Sequence, residues 1–249
     1  MMTEKTSSVQ AAKADLAPTG ILRVGLNHSN FLIVNAGSSA GQPTGVAPDL
    51  AREIATALGV QIEFVAYASP HEMADAVIRN EWDIAFLGTD PARESHISFT
   101  NAYLEIESSY LVPPNSPIQS MAEVDREGVR VSAFKNSAYE LVLKRDLKQA
   151  KLIQSDSIEE SFQKFVDQKL EVLSGLRPRL VADAERIPGS RILDGKFASV
   201  LQAVGTRKEC VAGVDFLRQF VEQAKRDGLV ASFIDRHVVR GVTVAAFTA

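Results

Sequence analysis

With a single cysteine, Cys210, the chain has nothing to pair in an internal disulfide, and histidines at 28, 71, 96 and 237 show no zinc-type Cys/His spacing. No apolar run approaches the roughly 18 to 20 residues that a membrane-spanning helix requires. An excess of one charge is lacking too. Twenty-seven basic and 31 acidic residues give a net charge of -4, with Lys and Arg scattered, which argues against a dominant nucleic-acid or anionic-membrane surface. Residues 1–19 lack the apolar segment of a signal peptide; rich in Ser, Thr, Lys, Gln and Ala, they are expected to be a flexible tail. The glycines of Asn35 to Gly45 match no phosphate-binding loop, because the Lys and Ser/Thr of that motif are absent, and the connection is expected to be mobile. No cofactor is implied.

What remains is an ordinary globular chain, 45% hydrophobic and 23% charged, long enough for one large or two small domains. Its organising stretch is Asp83-Ile84-Ala85-Phe86-Leu87-Gly88-Thr89-Asp90-Pro91-Ala92-Arg93. Ile84 to Leu87 is an unbroken apolar run that suits a strand covered on both faces. Gly88 ends it, and Pro91 suits the first turn of a helix capped by Asp90. Arg93 then falls near the mouth of a strand-to-loop junction. In open α/β sheets ligands sit outside the carboxyl ends of strands, where an Arg can clamp a carboxylate through two parallel hydrogen bonds. The alternative is a surface Arg paired with Asp90 or Glu94.

Elsewhere strands and helices alternate. Ile21 to Leu26 reads as a strand running into the polar loop Asn27-His28-Ser29-Asn30 and then Phe31. A helix from Asp49 places Leu50, Ile54, Ala57 and Leu58 on one face and stops at Gly59. Gln61 to Ala66 alternates as a half-buried strand does. Ser69-Pro70-His71-Glu72 reads as a capping box ahead of Met73, Val77 and Ile78. Pro113-Pro114-Asn115-Ser116-Pro117 breaks the chain and suggests a domain crossing. The alternation then restarts: Val129 to Ala133 as a strand, Ser137 to Asp146 as a helix, Lys151 to Gln154 as a strand. Ser157-Ile158-Glu159-Glu160 forms a second capping box, its helix turning Ile158, Phe162, Phe165 and Val166 inward, and Val172-Leu173 forms a short strand. A helix over Val214 to Asp227 is predicted to bury Phe216, Leu217, Phe220, Val221 and Ala224, followed by an apolar, β-branched segment, Ser232 to Val244. Such alternation implies right-handed βαβ crossovers and an α/β fold with a mostly parallel sheet.

Two similar α/β halves make the chain resemble the bacterial extracellular solute-binding proteins of family 3, the polar amino-acid receptors of ABC importers. The residues that carry the resemblance are Leu22-Arg23-Val24-Gly25, Gly45-Val46-Ala47-Pro48-Asp49-Leu50, Trp82-Asp83-Ile84-Ala85, Ser98-Phe99-Thr100-Asn101-Ala102-Tyr103, Gly128-Val129-Arg130-Val131, Lys135-Asn136-Ser137 and Asp227-Gly228-Leu229. The resemblance implies a two-lobe, type 2 Venus-flytrap architecture with two hinge crossings: lobe one over 20–112 and 204–249, lobe two over 113–203. It implies a non-catalytic receptor that closes on a small carboxylate-bearing solute in the cleft, a membrane permease as partner, a periplasmic location and a monomer. Without a signal segment in the chain, a cytoplasmic sensor of the same fold is the alternative.

By the same resemblance Arg93 holds the ligand carboxylate, although Asp90 stands where the family has Thr. Asn27 falls where the family often has Asp, with His28, Asn30 and Phe31 in the same loop, and Phe86, Gly88 and Thr89 line lobe one. Lys135, Asn136 and Ser137 align with a loop at a helix N-terminus, a position that favours an anion. The family's ammonium-neutralising Asp is missing at about Leu176. Arg177, which follows, either turns toward the ligand or starts a helix on the solvent side with Arg179. Phe31 and Tyr139 are pocket walls or core residues. Lobe two is also similar to the cyclohexadienyl and arogenate dehydratases, which need a general acid after the strand ending near Ser174. Arg179 stands there and donates no proton at neutral pH. Asp90 or Asp183 would have to replace it.

Overall fold

The computed structural model describes residues 2–35 and 43–247. Most of the connection expected to be mobile lies outside the described residues. In chain order the elements are α1 (Met2–Leu16), β1 (Ile21–Asn27), α2 (Val46–Leu58), β2 (Gln61–Tyr67), α3 (Pro70–Asp75), β3 (Ile84–Gly88), β4 (Ile97–Phe99), β5 (Leu104–Val112), β6 (Arg130–Phe134), α4 (Ala138–Asp146), β7 (Lys151–Ser155), α5 (Ile158–Asp167), β8 (Val172–Leu176), α6 (Arg177–Glu185), β9 (Arg191–Ile192), β10 (Ala198–Arg207), α7 (Val211–Arg226), α8 (Leu229–Arg236) and β11 (Val242–Val244). The chain divides into two compact units, Met1–Glu105 with Leu201–Ala249, and Ile106–Val200. Both divisions fall inside strands, the first in β5 ahead of the proline cluster and the second in β10, well after it. The prolines follow the end of β5 and do not mark the division.

In the first unit β2, β1 and β3 run parallel, and β10 joins β3 antiparallel. In the second, β7, β6 and β8 run parallel, and β5 joins β8 antiparallel. The strands of each unit thus run in mixed directions, because the chain returns through β10 in one case and arrives through β5 in the other. The two units repeat one anchoring device. Arg23 in β1 donates its backbone N–H, Nε and Nη2 to the Asp83 carboxylate at 2.7–3.0 Å, and Arg130 in β6 does the same to Glu171 at 2.8 Å. A guanidinium fork matched to a carboxylate at the start of the neighbouring strand fixes the register of each parallel pair.

Burial follows from composition. All of β3 is buried, and beneath it Trp82 packs with Met73, Ala85 and Leu87, its indole N–H donating to Met73 O at 2.8 Å. Gly59 at φ 62 closes α2, placing its own N–H on Thr56 O and that of Val60 on Ala55 O. Ser69 and Ser157 cap α3 and α5 by accepting the N–H of Glu72 and Glu160.

Several expectations are corrected. Residues 91–96 form turns where an Asp-capped helix was expected, because the Asp90 side chain accepts Ala92 N–H in a local turn. Ile78 and Val166 are exposed rather than inward, since α3 ends at Asp75 and Val166 lies in the last turn of α5. Phe216 and Phe220 are only half-buried and stack on each other. Ser232 to Arg236 belongs to α8, so the β-branched tail shrinks to β11.

The largest correction is at the N-terminus, where a helix, α1, stands in place of a flexible tail. Ala12 and Leu16 are fully buried, and α1 packs on α7. Asp15 accepts the Gly213 N–H at 3.0 Å, and the Cys210 thiol donates to Asp15 O at 3.5 Å. A Cβ at Gly213 would lie 2.6 Å from Leu16 Cδ2, so a larger residue forces the buried Leu16 side chain to shift. Gly213→Val is expected to cost about 1–3 kcal/mol. Urea denaturation together with early proteolytic cleavage within α1 checks it.

Candidate functional site

The carboxyl end of β3 gathers the main candidates in the first unit. Gly88 closes the strand, Thr89 N–H is held by Leu201 O at 2.8 Å, and the turn beyond returns Arg93 over the strand end. Its backbone N–H donates to Asp90 O at 2.9 Å, and Nη1 donates to Gly88 O. Arg93 is 7% exposed. Desolvation pushes its pKa down to about 10, opposed by the Asp90 charge. A guanidinium so placed is a buried cation at a sheet end, not the surface Arg of the alternative reading.

Beside it lies the end of β1, since Leu26 pairs with Phe86. Asn27 is buried and its Oδ1 accepts the N–H and hydroxyl of Ser29 at 3.0 and 2.7 Å, which fixes the loop. His28 donates its backbone N–H to Tyr67 O. Asn30 is 9% exposed and its Oδ1 has no hydrogen-bond partner, whereas Phe31 is 49% exposed. His28 and Phe31 line a hollow of about 400 Å³ with Leu32, Val34, His237 and Val239. His237 there contacts Asp49 at 2.8 Å. Thr89 lines another hollow, about 610 Å³, with Phe99, Lys208 and Arg218. Phe86 is buried edge-on to Tyr103, with ring centroids 5.7 Å apart.

The second unit has its own group. Lys135 forms an ion pair with Asp156, which raises its pKa. Asn136 adopts φ 56, a conformation its short side chain tolerates. Ser137 caps α4 by accepting Glu140 N–H at 3.2 Å while donating to Phe134 O at 2.7 Å. The buried Glu140 carboxylate accepts Asn136 N–H at 2.9 Å, so this helix start already carries an internal anion. Tyr139 is a core residue, its pKa pushed up to about 12 mainly by burial.

Arg177 begins α6, as one sequence reading had it. Its guanidinium goes to Glu107 at 3.1 Å and to Ser109 and the carbonyls of Leu193 and Gly195, so it is tied to its own unit's framework. Arg179 is bonded to Asp183 and Glu159. With Arg186 it holds the Glu159 carboxyl down to about 2. Asp183 is buried on two arginines.

Two polar residues of the first unit escaped the sequence reading. Gln202 is 4% exposed in β10, opposite Gly88, and its Oε1 has no partner; the Tyr103 hydroxyl is fully buried and also unpartnered. Gln202 interrupts the otherwise apolar run Val200-Leu201-Gln202-Ala203-Val204, and that interruption is the signal available in the sequence. Among the described residues no cluster of His, Cys, Asp or Glu fits a metal ion, and no helix is long and apolar enough to cross a membrane.

This is the type 2 periplasmic-binding-protein fold. The chain belongs to the bacterial extracellular solute-binding proteins, family 3, whose model matches residues 22–239. Among solved structures it is similar to a putative binding component of an ABC transporter from Wolinella succinogenes complexed with lysine, at 24% identity and TM-score 0.73, covering 88% of this chain and 95% of that one. An ancestral amino acid-binding protein, precursor of cyclohexadienyl dehydratase, matches at 22% identity and TM-score 0.73, over 91% of this chain and 98% of that one. An amino acid ABC transporter substrate-binding protein from Streptococcus pneumoniae bound to L-arginine matches at 20% identity and TM-score 0.72, over 89% and 95%. No curated protein sequence matches the chain.

Proposed function

We propose that the chain is the non-catalytic, solute-binding component of an ABC importer and holds a small carboxylate-bearing solute, amino-acid-like or an organic acid, on Arg93. The observation that carries this reading is the buried guanidinium at the carboxyl end of β3. A guanidinium at that strand end is well formed to hold a carboxylate through two parallel hydrogen bonds. Asn27, His28, Asn30, Phe31, Phe86, Gly88 and Thr89 surround the same sheet end. The Lys135-Asn136-Ser137 turn and Arg177 belong to the second unit, where the Arg177 guanidinium is bonded to Glu107 and the Gly195 carbonyl. The lysine and arginine complexes among similar structures support an amino-acid-like solute. The reading includes a membrane permease as partner, a periplasmic location and a monomeric receptor.

Dehydratase chemistry is the second reading, favoured by the ancestral precursor among the similar structures. Against it, Arg179 stands at the position of the general acid, and Asp183 is engaged by two guanidinium groups. A thermal-shift screen against amino acids, keto acids, hydroxy acids, dicarboxylates and prephenate separates the two. A hundredfold excess over Kd is expected to add about 2.7 kcal/mol of stability. A shift with a carboxylate and no release of phenylpyruvate from prephenate supports the receptor; turnover of prephenate overturns it.

A further inference from the structure

Helix α7 starts without a cap of its own. Cys210 holds the N-cap position, and its side chain bonds none of the first N–H groups of the helix. The cap comes instead from α1, where the Asp15 carboxylate in the last turn accepts the Gly213 N–H at 3.0 Å. Lys13, two residues earlier, does the converse for α2. Its ammonium donates at 2.9 Å to the carbonyl of Gly59, the C-terminal stop of that helix. One short helix thus sets a carboxylate on the positive end of α7 and a cation on the negative end of α2.

Little else holds it. Among the described side chains of α1 only Ala12 and Leu16 are buried, with Ala17 just beyond the helix, while Gln10, Ala11 and Ala14 are exposed. One leucine and two alanines bury little apolar surface against the entropy lost in ordering a whole helix, and a helix of this length is marginal on its own in water. Pro18 and Thr19 are exposed, and the next residue, Gly20, is fixed to the sheet by Gln61 N–H at 3.0 Å. The residues that match the family begin at 22, so α1 lies ahead of the family's own domain.

We propose that α1 is a releasable strap. It undocks as a unit about Ala17 to Gly20 while the rest of the first unit stays folded, and the charges of Lys13 and Asp15 set how often it does so. Segments with few buried contacts open well below the free energy of global unfolding, and charges at helix ends lose hold as salt screens them. Undocking bares the first turn of α7 and the Cys210 thiol, which in the docked state is 3% exposed and donates to Asp15 O. That face of α7 is therefore a conditional surface, open only when the strap is off.

Cys210 is the single thiol of the chain and reports the opening. The whole chain is mixed with dithiobis-nitrobenzoate; the Cys210 thiolate attacks the reagent's disulfide and releases one coloured thionitrobenzoate, which gives the rate. Below the unfolding transition the wild type is expected to react about 100-fold or more faster than global unfolding allows, and its rate to rise with urea at less than about a third of the slope of global unfolding. Asp15→Ala and Lys13→Met are each expected to speed labelling about threefold or more while keeping that shallow slope. Raising NaCl from about 0.02 M to about 0.5 M is expected to speed the wild type about twofold to threefold and to leave the double variant Lys13→Met, Asp15→Ala unchanged. Labelling with the full slope of global unfolding makes α1 an integral part of the fold and overturns the strap, and labelling as fast as in the urea-unfolded chain overturns its docking. Wild-type rates in both single variants, or an undiminished salt response in the double variant, overturn the role of the two charges.

Discussion

Alanine at position 93 is expected to weaken carboxylate binding by about 100-fold or more, the equivalent of about 3 kcal/mol, while leaving the fold in place. The two halves of that expectation have separate causes. On the proposed reading, binding falls because the solute carboxylate loses a charged, bidentate partner. The fold survives because the guanidinium contributes little to it. Arg93 is desolvated, and its pKa is pushed down to about 10 from the usual guanidinium range, so at neutral pH its charge works against the folded state. The sign follows from proton linkage. A base whose folded pKa lies below its unfolded value binds fewer protons when folded, so the penalty is fully present below about pH 10 and is relieved as pH rises from about 10 toward the unfolded guanidinium value. Removing the group relieves that penalty and forfeits the bond to Gly88 O, and the two changes offset to within about 1–2 kcal/mol. Titration calorimetry and thermal denaturation of the same variant check both parts. Unchanged affinity would sink the site assignment, and loss of the folded transition would make Arg93 a structural residue.

The fold was legible because its signals are local. Unbroken apolar runs such as Ile84 to Leu87, the glycine stop at Gly59 and the serine caps at Ser69 and Ser157 each act within a few residues of themselves. The motifs that carried the family resemblance turn out to be largely framework. Arg23 and Asp83 lock β1 to β3, and Trp82 fills the core beneath them. In the second unit Arg130 meets Glu171, an acid no local pattern had marked. Sequence reading failed where a residue's role depends on a distant partner. Residues 1–19 read as a tail because their polar composition conceals two buried positions, Ala12 and Leu16, whose partner surface on α7 lies some 200 positions later in the chain. Arg177 was open between ligand and solvent, and Glu107, seventy residues away, binds it. Gln202 passed unnoticed inside an apolar run, although a polar residue in such a place needs an explanation.

Lys225 is the clearest case of a distant partnership, and its replacement by alanine is expected to cause the largest loss of stability, about 3–5 kcal/mol. On α7 it occupies a position that helical periodicity assigns to the core, yet its side chain is fully buried and charged. The ammonium meets Glu222 at 2.8 Å, one turn back, and donates to Ala102 O at 3.1 Å and Ala246 O at 2.9 Å. Glu222 in turn accepts from Asn101 Nδ2 at 3.0 Å. One cation thereby ties the segment entering β5 and the segment after β11 to the same helix. Alanine would leave the buried Glu222 carboxylate without its cation and two carbonyls without their donor, and the cost of that unneutralised charge exceeds the cost of the lost pair. The double replacement Lys225→Met, Glu222→Met is therefore expected to be markedly more stable than Lys225→Ala, because it removes both charges and keeps the volume filled. Urea denaturation of the two proteins decides the matter. If the double variant is as unstable as the single one, the two carbonyl bonds, not the charge pair, hold the C-terminal segment; if it recovers most of the loss, the unneutralised carboxylate was the dominant cost.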